Sequence, residues 1–178
     1  MSDDTDYPNE RPVSYRDKEK FSSGGKTYLI ILKGKWGQAI DKVIVWLTGY
    51  SLITKQYALA MGEPYKPTLI LTTIGAKSRT LRTATLPFYA VGDVLVLRGS
   101  AGGGPKDPQW VHNVRVHVNT WVRINRKSTA MNAHVAQGEE REKLYKTLCD
   151  MSYTTARYQE MCHPRELPLV VLKPWDKV

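Results

Sequence analysis

The chain has few cysteines and no long apolar run, and both shortages narrow the class of protein. Two cysteines, Cys149 and Cys162, are too few for a disulfide framework in 178 residues. No apolar stretch approaches the roughly 20 residues that span a bilayer. The N-terminal sequence MSDDTDYPNE contains no apolar signal segment. We therefore expect a reduced, cytoplasmic protein.

Common catalytic and metal-binding motifs are also missing. No G-x-S-x-G motif marks a nucleophilic serine, and the histidines and cysteines lack the spacing of a zinc site. Gly104 is followed by Pro105, which excludes a P-loop, and GSAG (99–102) lacks the dinucleotide-binding spacing. We predict that no metal is bound and that an organic cofactor carries any difficult chemistry.

Positive charge is what the chain has in excess. The formal net charge is +9 at pH 7. Residues 66–127 contain ten lysines and arginines against two aspartates, so most of the excess lies in the middle of the chain. Such a field attracts phosphates, anionic lipids or nucleic acid.

Glycine is concentrated in the same region. Four glycines fall between residues 99 and 104 of the stretch LRGSAGGGPKDPQW (97–110). Glycines expose backbone N–H groups that form anion-binding concavities, and Ser100 adds a hydroxyl donor. A helix is expected from Pro108, with Asp107 as its cap, and Trp110 lies either against a planar ring or in the core. We interpret the missing side chains as room for the phosphate-bearing tail of a flavin-like cofactor.

A second basic stretch, TTIGAKSRTLRTATLPF (72–88), precedes the glycines. Gly75 opens a turn, and the cations Lys77, Arg79 and Arg82 follow it. Arginine grips phosphate in a bidentate manner, whereas lysine acts as a point charge. In isolation such a turn is a solvated surface, but paired with the glycines it predicts a phosphate clamp.

Hydrophobic periodicity predicts helices first and strands later. Helices are expected at 36–48, 51–61 and 139–151, and strands at 68–73, 83–90, 93–98, 120–125, 129–136 and 167–173. Antiparallel hairpins with helices at the ends indicate an α+β fold, a small and partly open β-barrel. Residues 1–26 are expected to form a flexible tail, followed by one domain at 27–178 with a helical lead-in at 27–65.

The first predicted helix is amphipathic. Its apolar face is flanked by Trp36 and Trp46 and consists of Ile40, Val43, Ile44 and Leu47. We expect this face to lie in the protein core. The alternative is an interfacial helix on a membrane, which Lys33, Lys35 and Lys42 would suit.

The two central blocks carry a family resemblance. The order TT-x-G-x-K-S-x-x-x-R (72–82), then GS-x-GG-x-x-K-x-P-x-W-x-x-N (99–113), resembles the deazaflavin-dependent nitroreductase family of actinobacteria. The closing RELPLVVLKPW (165–175) is similar to that family's last strand, so the likeness covers residues 68–175. It implies a split β-barrel of the FMN-binding type and the cofactor coenzyme F420, an 8-hydroxy-5-deazaflavin with a phospholactyl-polyglutamate tail.

The resemblance also implies the cofactor-binding residues. Lys77 and Arg82 correspond to residues that grip the phosphate, and Thr85 and Leu86 to residues that meet the ring through backbone groups. The path of the tail is lined by Ser100, Ala101, Gly102 and Gly103, and the pocket is closed by Gln109, Trp110, Asn113 and Val114.

This chain departs from the family pattern at two places. Ala101 stands where some members have a lysine, and Arg79 or Lys106 is expected to substitute. Thr85-Leu86-Pro87 stands where the family often has Pro-Leu-Tyr, which removes an aromatic residue on the substrate side. The segment from Tyr153 to Tyr158 resembles the family's substrate-side tyrosines, which orient the acceptor or relay a proton.

The function implied is an F420H2-dependent reductase that transfers a hydride to a small-molecule acceptor of the quinone, nitro or enone type. FMN is the less favoured cofactor, because a compact flavin needs fewer cations. One alternative is a non-catalytic F420 carrier, and another is a basic module that binds nucleic acid or a membrane surface. We expect no nucleic acid partner, leave the oligomeric state open, and consider peripheral membrane association through residues 36–60.

Overall fold

The computed structural model describes residues 20–23, 26–29, 32 and 34–175. These residues form eight strands and five α-helices. The strands are β1 (Lys20–Ser23), β2 (Lys26–Leu29), β3 (Thr68–Ile74), β4 (Leu81–Val91), β5 (Val94–Arg98), β6 (Asn119–Ile124), β7 (Lys127–Val135) and β8 (Leu169–Pro174). The helices are α1 (Gly34–Thr48), α2 (Leu52–Met61), α3 (Gln109–Val116), α4 (Gly138–Met151) and α5 (Thr154–Cys162).

Six strands form a closed antiparallel barrel in the order β3-β4-β5-β8-β7-β6. The ring closes where β3 pairs with β6, from Ile70 opposite Arg123 to Thr73 opposite Thr120. The predicted α+β class and antiparallel barrel are therefore confirmed. The expectation that the barrel is partly open is wrong, because a pairing between strands distant in sequence closes it.

Two apolar layers sandwich the barrel wall. The interior is filled by side chains from alternate strand positions, including Leu69, Leu71, Leu97 and Leu172, and α3 inserts Trp110, Val111 and Val114 among them. The outer face of β4, β5 and β8 carries a second cluster beneath α4 and α5, with Tyr89, Val96, Leu148 and Val171. This two-sided burial explains why β8 reads as a continuous apolar run.

The two N-terminal helices form as predicted, and α2 has a capped N-terminus and a left-handed glycine at its end. The Ser51 side chain accepts from the Thr54 N–H at 2.9 Å, and Gly62 has φ 67°. Ser51 in turn donates to Asp41 at 2.7 Å, and the Ile53 N–H donates to the other carboxylate oxygen at 3.0 Å. Asp41 on α1 therefore holds the start of α2.

The expected orientation of α1 is wrong. Its buried residues are Gly37, Asp41 and Val45, whereas Ile40, Val43 and Leu47 are about half exposed and Trp36 is 85% exposed. The physical reason is the Asp41 contact with α2, which turns a polar side chain inward. Hydrophobic periodicity correctly predicted a helix here, but it placed the apolar face in the core, whereas the structure exposes that face and buries the opposite one.

Other differences concern the two ends of the chain. Helix α5 was not predicted, and neither was the antiparallel pairing of β1 with β2. Residues 1–19 and 24–25 of the expected tail lie outside the described residues, as does Lys33, so the domain boundaries stay a prediction. No helix in the described part of the chain is long and apolar enough to cross a membrane.

Candidate active site

Strand β4 changes partners halfway along its length. Its first half, from Leu81 to Pro87, pairs only with β3, and its second half, from Phe88 to Val91, pairs only with β5. The second edge of the first half therefore has no strand partner among the described residues. Its backbone N–H and C=O groups remain available to a ligand.

The glycine-rich loop lies opposite this free edge. β5 runs antiparallel to β4, so the chain that leaves Arg98 heads toward the level of Leu86. It does not pair there but turns toward α5, in a 3₁₀ turn at Ala101–Gly103. We call the space between the free edge, Leu81–Pro87, and the loop, Ser100–Gly104, the β4 groove.

The loop adopts a backbone conformation suited to anions. Ser100 is right-handed, with φ −70° and ψ −28°, and Ala101 has φ 49°. Gly102 and Gly103 follow with φ 65° and 82°. A right-handed residue followed by a left-handed one turns successive N–H groups toward one point, the geometry of an anion-binding nest. The N–H groups of Ser100, Ala101 and Gly102 donate to no described residue.

Arg165 fixes the loop from behind. Its guanidinium donates to the carbonyl oxygens of Gly99 at 3.1 Å, Ser100 at 3.1 Å and Gly104 at 2.8 Å. A trans peptide points its C=O and the following N–H in opposite directions. Because two successive carbonyls point at Arg165, the N–H groups of Ser100 and Ala101 point away from it.

Arg165 has two further partners, Asp107 and Cys162. Its Nη1 lies 2.9 Å from Asp107 Oδ1, and its Nη2 lies 2.8 Å from the Cys162 sulfur. Burial raises the pKa of the Cys162 thiol, and the adjacent guanidinium opposes that rise. Arg165 was not predicted as a site residue. Its partner Asp107 is 58 positions away, so no local pattern relates the two.

Two of the glycines are explained by contacts within the protein. A Cβ on Gly99 would lie 3.0 Å from Val111 Cγ2 and 3.2 Å from Pro168 Cβ. A Cβ on Gly103 would lie 2.9 Å from Met161 Cβ. The interpretation of the glycines as room for a ligand alone is therefore incomplete, because Gly99 and Gly103 are also required by internal packing.

The basic turn between β3 and β4 is built on Gly75. The Gly75 N–H donates to the Thr80 carbonyl at 2.9 Å, and a Cβ on Gly75 would lie 2.5 Å from Ser78 Oγ. Lys77, Arg79 and Arg82 are all exposed, as is Lys106 of the loop. None of these four cations forms an ion pair with a described residue.

Helix α3 joins the basic turn to the glycine loop. Asn113 accepts from the Ala76 N–H at 3.0 Å and donates to Thr73 Oγ1 at 2.9 Å. Arg82 lies opposite Thr73 in the β3–β4 register and therefore on the same face of the sheet. The turn, Arg82 and the helix that follows the loop thus meet at one end of the barrel.

Other predicted residues of α3 have structural partners. Trp110 and Val114 are 8% and 1% exposed and belong to the barrel core, whereas Gln109 is exposed. The prediction that Asp107 caps this helix is wrong: the N-cap is Pro108, with no side-chain hydrogen bond. Asp107 instead binds Arg165 and lies 2.6 Å from Arg115, because two cations compete for it more strongly than one backbone N–H.

On β4, Thr85 and Leu86 point to opposite sides of the sheet. Leu86 packs against the barrel core, and Thr85 Oγ1 is buried with no hydrogen-bond partner in the described chain. A buried hydroxyl without a partner is costly, which makes Thr85 a candidate contact for a ligand.

The tyrosine segment consists of Tyr153, the N-cap of α5, and Tyr158 within that helix. Tyr153 donates to the Met61 carbonyl, and the Tyr158 hydroxyl lies 3.9 Å from the Met61 sulfur. Burial raises the pKa of Tyr158 to about 12, although the Arg98 guanidinium acts in the opposite direction. One turn beyond Tyr158, Met161 faces Gly103 and Cys162 donates to the Ser100 carbonyl at 3.6 Å.

Arg98 is a second residue that sequence reasoning missed. Its guanidinium lies over the rings of Tyr89 and Tyr158, 4.9 Å and 5.2 Å from their centroids, and donates to Thr154 and Thr155. It thereby attaches α5 to the strand that leads into the glycine loop. The sequence shows that Arg98 directly precedes Gly99, but it does not show that Arg98 packs over two aromatic rings. No group of three or more metal-ligating side chains comes together in the described ranges.

The closed barrel, with a free half-strand beside a loop suited to anions, is a fold that holds a ligand at its edge, and comparison with known proteins identifies the family. A family model described as F420H(2)-dependent quinone reductase matches residues 54–174, more than half of the chain. The chain belongs to the F420H2-dependent quinone reductase family.

Individual relatives agree with this assignment. The F420H(2)-dependent quinone reductase Rv1261c of Mycobacterium tuberculosis is 27% identical over 108 residues, which cover 60% of this chain and 72% of that protein. Among solved structures, an F420-H2 dependent reductase, FDR-A, has a TM-score of 0.54 and 30% identity, over 60% of this chain and 94% of its own. A chain described as a domain-swapped dimer has a TM-score of 0.55 and 26% identity. The match covers 78% of this chain and 97% of that one.

These findings confirm the predicted enzyme class and cofactor. The protein is an oxidoreductase that uses reduced F420 and a quinone-type acceptor. The carrier and the basic binding module, both weighed as alternatives, are not supported. The residues of the β4 groove fit the cofactor, because unpaired amides, free cations and the unsatisfied Thr85 hydroxyl match its anionic tail and polar ring.

Proposed function

We propose that the chain holds the anionic tail of F420 across the β4 groove, between the basic turn and the glycine loop. The observation that carries this proposal is the nest at Ser100 and Ala101, whose N–H groups point away from Arg165 and have no described partner. A phosphate followed by several glutamates needs several positive groups along one groove. FMN, with a single phosphate, needs fewer.

Each cation has a distinct role in this proposal. Arg82 grips the phosphate with two parallel N–H donors, and Lys77 adds a point charge. Arg79 or Lys106 takes the place of the lysine that the family resemblance implies at the position of Ala101. None of these four side chains forms an ion pair within the part of the chain that the structure describes, which supports the assignment because their charge is available to an anion.

The ring of the cofactor is proposed to lie along the free edge of β4. Backbone groups of Thr85 and Leu86 bind its polar edge, and the Thr85 hydroxyl gains its missing partner there. Asn113 acts as a positioning residue, since both ends of its amide already bind β3 and the basic turn. Trp110 and Val114 support the groove from the core, and Gln109 borders its open side.

When bound, reduced F420 supplies the hydride that the acceptor takes up. The chain's own residues bind and orient the reactants and exclude water. Tyr158, whose pKa is raised to about 12 by burial, is proposed to orient the acceptor as a neutral hydrogen-bond donor. We place Tyr153 on the same side of the β4 groove as Tyr158. Nitro and enone acceptors stay predictions.

The proposal is tested by titrating the purified protein with F420 and, separately, with FMN, following fluorescence. We expect F420 to bind and FMN to bind much more weakly. A preference for FMN, or no F420 binding, would refute the groove assignment. Steady-state oxidation of F420H2 with menaquinone analogues, nitroaromatics and enones then defines the acceptor. Tight F420 binding without turnover on any of them indicates a carrier.

We also propose that the enzyme meets its acceptor at a membrane surface. A quinone with a long apolar tail partitions into a bilayer, because each buried methylene contributes about 0.8 kcal/mol. A peripheral reductase reaches such a substrate without extracting it into water. Binding of the protein to lipid vesicles is the direct measurement.

A further inference from the structure

Glu63, between α2 and β3, is a carboxylate whose side chain is only 8% exposed. The end of α2 places it there. Gly62 takes the left-handed conformation with φ 67°, and the Glu63 N–H returns to the Ala58 carbonyl at 2.9 Å. A buried carboxylate is costly unless hydrogen bonds satisfy its oxygens, so the partners of Glu63 indicate its role.

The partners of Glu63 lie at the junction of α4 and α5. The Ser152 hydroxyl donates to both carboxylate oxygens, at 2.7 Å and 2.9 Å, and the Thr154 N–H donates to Oε1 at 3.2 Å. Lys66 Nζ lies 3.9 Å from Oε2. Tyr153, the N-cap of α5, makes no side-chain cap of its own. Glu63 therefore caps α5 from 91 positions away in the sequence, at a helix end that favours negative charge.

Two hydroxyls connect Glu63 with Arg98. Thr154 Oγ1 lies 2.9 Å from Ser152 Oγ, and Arg98 Nη1 donates to Thr154 Oγ1 at 3.1 Å. The proton of the Ser152 hydroxyl is used on the carboxylate, which only accepts, so the Thr154 hydroxyl donates to Ser152. The hydrogen bonds therefore run in one direction, from Arg98 through Thr154 and Ser152 to Glu63. We call these four residues the Glu63 network.

The Arg98 end of the Glu63 network lies against Tyr158. The guanidinium is 5.2 Å from the centroid of the Tyr158 ring, within the range of a cation–π contact. Burial does most to raise the pKa of Tyr158, the Arg98 guanidinium lowers that pKa, and the Glu63 carboxylate raises it. The charges at both ends of the network therefore act on the hydroxyl that we assigned to the acceptor.

We infer that Glu63 is a positioning residue that orients Tyr158 toward the acceptor. It acts through two hydroxyls and the Arg98 guanidinium, which they hold over the Tyr158 ring. Glu63 itself is assigned no contact with the acceptor or with F420. The competing explanation is a helix cap that only stabilises the fold. The inference rests on the proposed role of Tyr158, but not on how the β4 groove holds the tail of the cofactor.

The test compares the wild type with Glu63→Gln in the rate of F420H2 oxidation by a saturating menaquinone analogue, with F420 titration of the same samples. Glutamine keeps the shape of the side chain, but its NH2 group cannot accept from Ser152. We expect the rate to fall about tenfold while the dissociation constant of F420 stays unchanged.

Glu160→Gln is the matched control. Glu160 is an exposed carboxylate on α5, the helix that carries Tyr158, and its replacement makes the same change in charge. Both the rate and the F420 affinity should stay at the wild-type values. Equal losses of rate in the two variants, or no loss in Glu63→Gln, would overturn the inference.

Thr154→Val separates positioning from capping. Valine removes the hydroxyl in the middle of the Glu63 network but keeps the backbone N–H that Glu63 accepts. Positioning predicts a reduced rate in this variant, whereas a cap alone predicts the wild-type rate. The same measurement decides the question if Glu63→Gln does not fold.

Tyr158→Phe completes the test, because it removes the hydroxyl and keeps the ring that Arg98 contacts. If Glu63 acts through this hydroxyl, adding Glu63→Gln to Tyr158→Phe should lower the rate no further. A full additional loss would overturn the inference. An unchanged rate in Tyr158→Phe would refute the proposed role of Tyr158 and the inference with it. A loss in Tyr158→Phe without a loss in Glu63→Gln would refute the role of Glu63 alone.

Discussion

Arg165 donates to the carbonyl oxygen of Ser100 at 3.1 Å. This bond connects the segment between α5 and β8 with the glycine loop. Through the planar peptide it also sets the direction of the Ala101 N–H. The residue that shapes the proposed anion site therefore lies behind the loop and has no direct contact with the β4 groove. Its effects should appear in cofactor affinity before they appear in the chemical step.

We predict that Arg165→Ala raises the KM for F420H2 more than it lowers kcat. The loop loses three carbonyl contacts, and each hydrogen bond to a charged group contributes about 1.5–3 kcal/mol. Arg165→Lys keeps the positive charge but loses the planar guanidinium with its several fixed N–H donors. We therefore expect a KM between those of the wild type and Arg165→Ala. Steady-state kinetics and F420 titration measure both variants.

Arg123→Ala is the control for this experiment. Arg123 is another half-buried arginine, which donates to the Trp46 carbonyl at 3.4 Å and forms no hydrogen bond with the loop or with the partners of Arg165 among the described residues. An equal rise in KM in both arginine variants would mean that Arg165 acts through general stability.

We predict that Arg82→Ala weakens F420 binding by about 1.5–3 kcal/mol, the contribution of a charged hydrogen bond. Arg126 is an exposed arginine in the turn between β6 and β7, and Arg126→Ala should leave the affinity unchanged. Isothermal titration at two salt concentrations measures the loss and its electrostatic part. Unchanged F420 affinity in Arg82→Ala would exclude Arg82 from the site.

Gly103→Ala should destabilise the protein by more than Gly92→Ala. Both glycines have positive φ, 82° and 55°, so both substitutions carry the cost of about 1–2 kcal/mol for a left-handed alanine. At Gly92 a Cβ meets nothing within 4 Å, whereas at Gly103 it meets Met161. Urea denaturation measures the difference, and adding Met161→Ala to Gly103→Ala should reduce it in part, because alanine removes the Met161 sulfur and methyl group but keeps the Cβ. No coupling between the two substitutions would contradict the proposed contact.

Tyr158 should make the stability of the fold sensitive to alkaline pH. Burial raises its pKa from 10.0 to about 12, so its contribution is fully present below pH 10 and is lost as the pH rises through 12. Tyr158→Phe removes this group, and the free energy of unfolding should then fall less steeply between pH 10 and 12. Burial also raises the pKa of Tyr145 to about 12, so Tyr145→Phe is measured in parallel. An unchanged slope in Tyr158→Phe would show that Tyr158 does not titrate in this window.

Local patterns predicted most of the elements correctly. The β-branched stretch TLILTT became β3, and the Val91-Gly92 signal became the turn between β4 and β5. The two central blocks identified the family, because glycines and cations at fixed spacing are read directly from the chain. Helix α5 was missed because it begins with two β-branched threonines, Thr154 and Thr155, and its apolar contacts are made with distant residues.

The candidate site was only partly accessible from the sequence. Lys77, Arg82 and the glycines were found because their residue types suit an anion. Arg165 and Arg98 were not found, because the partners that place them at the site, Asp107 and Ser100 for Arg165 and Thr154 and Thr155 for Arg98, lie 56 or more positions away along the chain. Trp110 was ambiguous in sequence, and its burial in the barrel resolves that ambiguity.

The order of the amino acids alone determined the helices and strands, the positive field and the glycine loop, since these depend on the spacing and type of neighbouring residues. Tertiary structure decided which face of α1 meets water, which side of the loop carries the amides and where the barrel closes. These outcomes depend on hydrogen bonds such as Asp41 with Ser51 and Arg165 with Ser100, and on the pairing of β3 with β6. Such contacts join groups that become neighbours only after the chain has folded.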